Sequence, residues 1–284
     1  MNEVVEIIDF FCPDDPEKAI YITKIIADIE PEVLQSQLFD TFSKYGLVFN
    51  VTIHKSKFYT DNSGDAAGGC AFYAFVWFYS SRDARKARAT LNNQLVINGR
   101  ISKIRKLTRK PMQPTATGER NRIPLSLTKC KDLANHYLGF NGWKSEIVNL
   151  TNEISSDSSA SACCCMKIAV PSQGVETKGF GVFEEKWQYV RDKANAVCKV
   201  KKFAQQRAFQ NAFVSLLLAL FTNGKVYVEI DTSSQECLLT DENPGVMVTD
   251  LAVAPDESDS ENDEEDDDDL AQQLLMALEN SILV

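Results

Sequence analysis

Two stretches of the 284-residue chain alternate between strand-like and helical hydrophobic spacing, each in its own order. In the first stretch, AIYITKI (19–25) alternates, and Pro31 then opens a segment whose Val33, Leu34, Leu38, Phe39 and Phe42 fall at helical spacing up to Gly46. A second strand is predicted over 47–53 and a third over CAFYAFVWFYS (70–80), followed by a helix over 81–92, an Asn98-Gly99 turn and a last strand with Lys103, Arg105 and Lys106. Residues 108–124, rich in proline and polar groups, show no hydrophobic period and make a linker. The second stretch, 125–231, predicts a short helix ending at Gly139, a strand over 143–150, a hairpin of 163–170 and 178–183 around the turn 171–174, a long helix from about Trp187 to Phe221, and a strand over 225–230. Residues 232–269 form an acidic region whose 256–269 run holds no apolar residue and is expected to be disordered, and 270–284 has the leucine spacing of an amphipathic helix. The fold class is therefore α+β, two domains with an acidic tail.

Charge changes the picture. The net charge is −10, yet residues 1–18 carry −5, 19–110 carry +7, 111–230 carry +5 and 231–284 carry −17. Acidic ends flank a basic body, and a basic body suits phosphate binding. No apolar run approaches the length of a membrane span, and the acidic start does not resemble a secretory signal, so neither a membrane nor secretion is expected. Eight cysteines without a CxxC pair fit a reduced compartment. Cys163, Cys164 and Cys165 alternate sides of a strand and cannot converge on one ion, so no metal is expected and they are read as small buried hydrophobes. With only His54 and His136, and neither in a hydrolytic frame, no catalytic residue and no cofactor are assigned, and an enzyme is not expected.

The first domain resembles the RNA-recognition-motif family: IYITKI (20–25) fits its hexamer, and AFYAFVWF (71–78) its octamer with aromatics at the third, fifth and eighth places. Ala71 and Phe72 depart from the family's basic residue and glycine, which removes one phosphate contact. Independently, alternation places Phe72, Ala74, Val76 and Phe78 on one face of the third strand and Tyr73, Phe75 and Trp77 on the other. The second aromatic face, joined by Tyr21, is a platform on which unpaired bases can stack, with Lys103 and Arg105 on phosphate.

LANHYLGFNGW (133–143) resembles the start of the annealing domain of the Rad-fifty-two recombination mediators, and the strand order, the Gly179-Phe180-Gly181 strand end and the long lysine-rich helix are similar too. The resemblance places Lys199, Lys201 and Lys202 on nucleic acid, whereas Gln210, Asn211 and Val214 stand where that family has further basic residues, so strand annealing is not implied. Together the resemblances imply a protein that binds single-stranded DNA, double-stranded DNA and RNA in DNA repair, in the nucleus and also the cytoplasm and nucleolus. Surplus apolar residues at the end of the long helix (Phe209, Phe213, Leu216, Leu217, Leu218, Leu220) suggest a homo-oligomer. Two alternatives stay open: an RNA-processing factor whose second domain oligomerises, and an adaptor gripping a peptide with the aromatic sheet.

Overall fold

A computed structural model describes residues 5–27, 29–56, 70–107, 122–155 and 158–231. The acidic region and the amphipathic helix expected at 232–269 and 270–284 lie outside these residues. In chain order the elements are β1 (Glu6–Asp9), β2 (Ala19–Ala27), α1 (Pro31–Phe42), β3 (Val48–Lys55), β4 (Cys70–Phe78), α2 (Ser81–Leu91), β5 (Val96–Ile97), β6 (Arg100–Ile101) and β7 (Lys103–Lys106). They continue as α3 (Leu127–Leu138), β8 (Lys144–Ile154), β9 (Ser159–Val170), β10 (Val175–Lys186), α4 (Lys193–Val214), β11 (Leu216–Leu220) and β12 (Val226–Ile230).

The first domain is an antiparallel sheet of order β3-β4-β2-β7. Its core face is set by alternation: Ile20, Ile22, Phe72, Ala74, Val76 and Phe78 pack against Leu34, Leu38 and Phe42 of α1 and Ala84 and Ala87 of α2. Proline at the first position of α1 fixes a helical φ where an N–H has no partner anyway, and Ser80 caps α2 by accepting from the Arg82 and Asp83 N–H groups. Asn98 and Gly99, with φ of 49° and 74°, make the tight turn between β5 and β6.

In the second domain, β8, β9 and β10 form an antiparallel meander crossed on one face by α4. Small residues allow a close approach. Ala196, Val200, Ala204, Ala208 and Ala212 recur every four residues and are buried, facing Ala160, Ala162 and Cys164. A Cβ on Gly179 would lie 2.2 Å from the Ala208 carbonyl oxygen, and one on Gly181 would lie 2.2 Å from that of Ala204. The glycine pair in β10 is thus the space into which the helix backbone settles.

Two expectations are corrected here. The long helix stops at Val214, and Leu216–Leu220 is a strand, β11, in a sheet of order β1-β11-β12. A five-residue run without a polar position fits a strand buried on both faces as well as a helix end, and periodicity alone cannot separate them. The partner that settles it is β1, from the segment read as a separate acidic end. Ile8 and Phe10 are fully buried, the Phe10 ring lies 4.7 Å from that of Phe213, and the Cys12 and Leu125 N–H groups bond to the Ile123 and Phe10 carbonyls. Glu6 also accepts from Ser80 Oγ (2.8 Å) and from the Ser81 N–H at the start of α2. The chain's beginning thereby ties both domains together, and it covers the apolar end of α4 that had suggested self-association.

Candidate nucleic-acid interface

Cross-strand register builds the first site. Tyr21 on β2 stands opposite Phe75 on β4 and opposite Arg105 on β7, while His54 on β3 stands opposite Tyr73, and Thr23 opposite Lys103. Directly opposed residues share a face, so Tyr21, Tyr73, Phe75, Lys103 and Arg105 come together on the side away from the helices. The Tyr21 ring stacks on Phe75 at 5.0 Å and 18°, and His54 stacks on Tyr73 at 5.1 Å and 21°. Tyr73 meets Phe75 edge-on at 5.9 Å. Burial lowers the pKa of His54, which favours the uncharged ring.

Within this cluster the exposures differ. Tyr21, Tyr73 and His54 are half-buried, whereas Phe75 is only 1% exposed, enclosed by the rings around it. Phe75 is therefore the floor of the platform and not an open stacking surface. Trp77 is likewise 1% exposed, its indole N–H lacking a partner among the described residues. Just past the end of β4, Tyr79 and the bulged Phe49 meet edge-on at 5.5 Å, and Lys129 of α3 sits 3.7 Å over the Phe49 ring. A cleft of about 610 Å³ lined by Phe39, Phe49, Tyr79, Lys129, Asp132 and His136 remains at this junction. Burial lowers the pKa of Lys129 and raises that of the Cys130 thiol to about 12, as expected for groups pressed between two domains. The second domain thus meets the first beside Phe49 and Tyr79, Trp77 is buried, and the Tyr21 end of the aromatic face stays half-exposed.

The basic residues of α4 do not form one strip. Residues two apart on a helix lie roughly 200° around its axis, so Lys199 and Lys201 flank the helix on opposite sides, with Lys202 between them on the outer surface. Lys199 is bound to Glu185 at 2.6 Å. Gln210 and Asn211, which replace basic residues of the resembled family, donate their amides to the Leu125 and Phe180 carbonyl oxygens at 2.8 and 2.7 Å. Both side chains are consumed in holding the domain together. Cys164 is buried against α4 as expected of a small hydrophobe, but Cys163 is exposed and Cys165 half-buried on the outer face, which corrects the reading of all three as core. No group of three or more metal-ligating side chains occurs among the described residues.

Sequence reasoning missed three residues of this kind. His54 is one. Lys24 is the second: exposed, with φ of 61°, it marks a bulge where the β2–β4 register shifts between Ile22 and Ile25. The third is Phe140, 83% exposed on the turn between α3 and β8. Gly139 adopts φ of 82°, a Cβ on Gly142 would meet the Leu138 carbonyl oxygen at 1.9 Å, and Trp143 Nε1–H donates to Asn135 Oδ1 at 2.9 Å. Every position of the GFNGW turn other than Phe140 and Asn141 therefore has a structural duty, and the turn displays Phe140 to solvent.

The fold and the site define a chain that joins an RNA recognition motif, whose family model matches residues 25–102, to an α-β-β-β-α domain, which the model described as RDM1 DSRM domain matches at residues 125–217. The chain is 32% identical to RAD52 motif-containing protein 1 of Gallus gallus, covering 91% of this chain and 93% of that protein. It is 30% identical to the protein of that name from Danio rerio (86% and 87% covered) and 29% identical to that from Homo sapiens (80% and 81%). The chain belongs to the RAD52 motif-containing protein 1 family. Among solved structures, the RRM3 domain of Mip6 at 1.25 Å resolution overlays with a TM-score of 0.24 and 20% identity, over 33% of this chain and 96% of that one. The family and its RNA recognition motif support nucleic-acid binding and a link to DNA repair.

Proposed function

We propose that this protein binds single-stranded DNA and RNA on the open end of the first sheet and duplex DNA through its second domain, without catalysis, in the response to DNA damage. The observation that carries the reading is the ring cluster of Tyr21, Tyr73 and His54 over a Phe75 floor, edged by Arg105 and Lys103. Flat half-exposed rings accept any base, and two cations on the adjacent edge strand supply phosphate contacts. On this reading Phe140 is a second aromatic contact, and the separated lysines of α4 give the duplex a diffuse, salt-dependent hold. The working locations are the nucleus, nucleolus and cytoplasm, and the protein assembles as a homo-oligomer through a surface other than the covered end of α4.

Fluorescence anisotropy with matched single-stranded DNA, duplex DNA and RNA at two salt concentrations tests it. Tyr21→Ala with Tyr73→Ala should weaken the single-stranded ligands by about 2 kcal/mol with a nearly constant salt slope, base stacking being worth ~1–3 kcal/mol per base. Replacing Lys199, Lys201 and Lys202 by Gln should instead flatten the duplex salt slope. If the tyrosine pair leaves every affinity unchanged, the platform is not the site, and a peptide-gripping adaptor takes its place.

A further inference from the structure

The outer face of the second sheet, opposite α4, has no role in the reading above. Along β10 the exposed positions are Glu176, Lys178, Phe180, Val182, Glu184 and Lys186, alternating with Thr177, Gly179, Gly181 and the half-buried Phe183 beneath the helix. Phe180 and Val182 are 45% and 53% exposed. Register places Cys165 and Cys163 of β9 directly beside them, and Asn149 and Thr151 of β8 beyond. A short apolar patch therefore spans β9 and β10 at mid-height and gives way to polar Asn149 and Thr151 on β8, with ionic residues above and below it on β10.

The order of charges along β10 is acid, base, apolar, apolar, acid, base. Turned end for end about Gly181, the strand presents to a second copy a lysine wherever the first has a glutamate: Lys186 meets Glu176, Glu184 meets Lys178, and Val182 meets Phe180. On β9 the same operation sets Cys163 against Cys165 and Lys167 against Ser161. A two-fold interface needs a patch that is complementary to itself under such a reversal, and this row meets that condition.

We propose that the outer face of the β8–β9–β10 sheet binds the same face of a second copy, with the two β10 strands antiparallel. This rests on the homo-oligomeric reading above and supplies its surface. Packing is face to face. The lateral edge of β10 is already covered, because Asn211 and Arg207 of α4 donate to the Phe180 and Val182 carbonyl oxygens at 2.7 and 2.8 Å. A face three strands wide is small, so the association is of the weak class, micromolar and concentration-dependent.

Lys178 and Glu184 are six residues apart on one strand, roughly 20 Å, too far to pair within a chain. That separation makes a charge swap decisive. Sedimentation velocity of the full chain from about 1 to 100 µM should show reversible self-association. Lys178→Glu and Glu184→Lys, each alone, should weaken it at least about tenfold, since each sets like charges opposite each other twice per dimer. The double variant should regain it, and so should an equimolar mixture of the two single variants, whose faces are again complementary. Circular dichroism of all variants should match the parent, because these side chains are exposed. A parent that stays monomeric throughout overturns this proposal together with the homo-oligomeric reading. A parent that associates equally well with either single change, or a double variant that fails to recover, overturns the proposed face alone.

Discussion

The two main sheets share one plan, an antiparallel sheet with helices on one face and the other face open, and they fill it with opposite materials. Under the first sheet the helices are held off by large side chains, Phe42, Phe72 and Phe78 among them. Under the second, alanines, Cys164 and two glycines bring the α4 backbone down onto the strands. The outer faces differ as well, rings with flanking cations on the first and an alternating ionic row around a small apolar band on the second. A core of large residues can relax around a lost methylene, whereas a backbone-to-backbone contact leaves nothing flexible to move. The two layers should therefore fail in different ways.

The sharpest break is Gly181→Val. The added Cβ would lie 2.2 Å from the Ala204 carbonyl oxygen and 2.4 Å from the Ala208 nitrogen, and neither backbone atom can move aside. The expected cost is more than about 3 kcal/mol, enough to melt the second domain at moderate temperature. Thermal unfolding should then split into two transitions, the first domain keeping its own core. A single unshifted transition would show that α4 can lift off β10, and the comparison would fail.

Phe10→Ala comes next. This ring is fully buried against Phe213 although it lies in the N-terminal segment, and its loss should cost about 3–4 kcal/mol. Since Glu6 and β1 bridge the domains, the change should also raise hydrogen exchange at the first turn of α2, where Glu6 holds the Ser81 N–H. Faster exchange confined to the second domain would mean that the segment belongs to that domain alone.

These two positions also show what could be read from the sequence. The first domain was legible almost to the residue because its alternation is strong, its helix starts carry Pro31 and Ser80, and its turn is Asn98-Gly99. The glycine pair of β10 and the GFNGW turn were visible as patterns, and the close approaches at Gly142, Gly179 and Gly181 give their cause. The strand at Leu216–Leu220 was hidden, since a run apolar at every position has no period, and its partner lies two hundred residues away in an acidic segment. The site was half legible for the same reason. Strand alternation places Tyr73, Phe75 and Trp77 on one face, but only the tertiary packing decides that Phe75 and Trp77 are buried and Tyr73 is not.

On the outer faces the expected effects are smaller and concern binding. Tyr73→Ala alone should cost about 1–2 kcal/mol in single-strand affinity and little in stability, because the ring is half-exposed and packs on His54 and Phe75 at the surface. Titration of single-stranded DNA measures the first and urea unfolding the second. A large loss of stability with unchanged affinity would make this ring part of the core and not a platform.

The smallest effect sharpens how the domains are joined. Asp83, in the first turn of α2, packs against Gly46, and burial first and the nearby Glu6 carboxylate second raise its pKa from 3.8 to about 6. Lys86 and Arg82 oppose the shift without cancelling it. A carboxyl whose folded pKa is raised favours the protonated fold. Its stabilising contribution is complete below the ordinary value near 3.8 and is lost as pH rises through about 6. Asp83→Asn, which cannot ionise, should therefore remove a fall in stability between pH 4 and 6. Above that window the variant should be the more stable protein by about 1 kcal/mol, a figure reduced from the full shift because the group is partly solvated. Urea midpoints for parent and variant at about pH 4, 6 and 7.5 give the comparison. Parallel pH curves would show that Asp83 is not held between Glu6 and the core, and that the clasp at the start of α2 rests on hydrogen bonds alone.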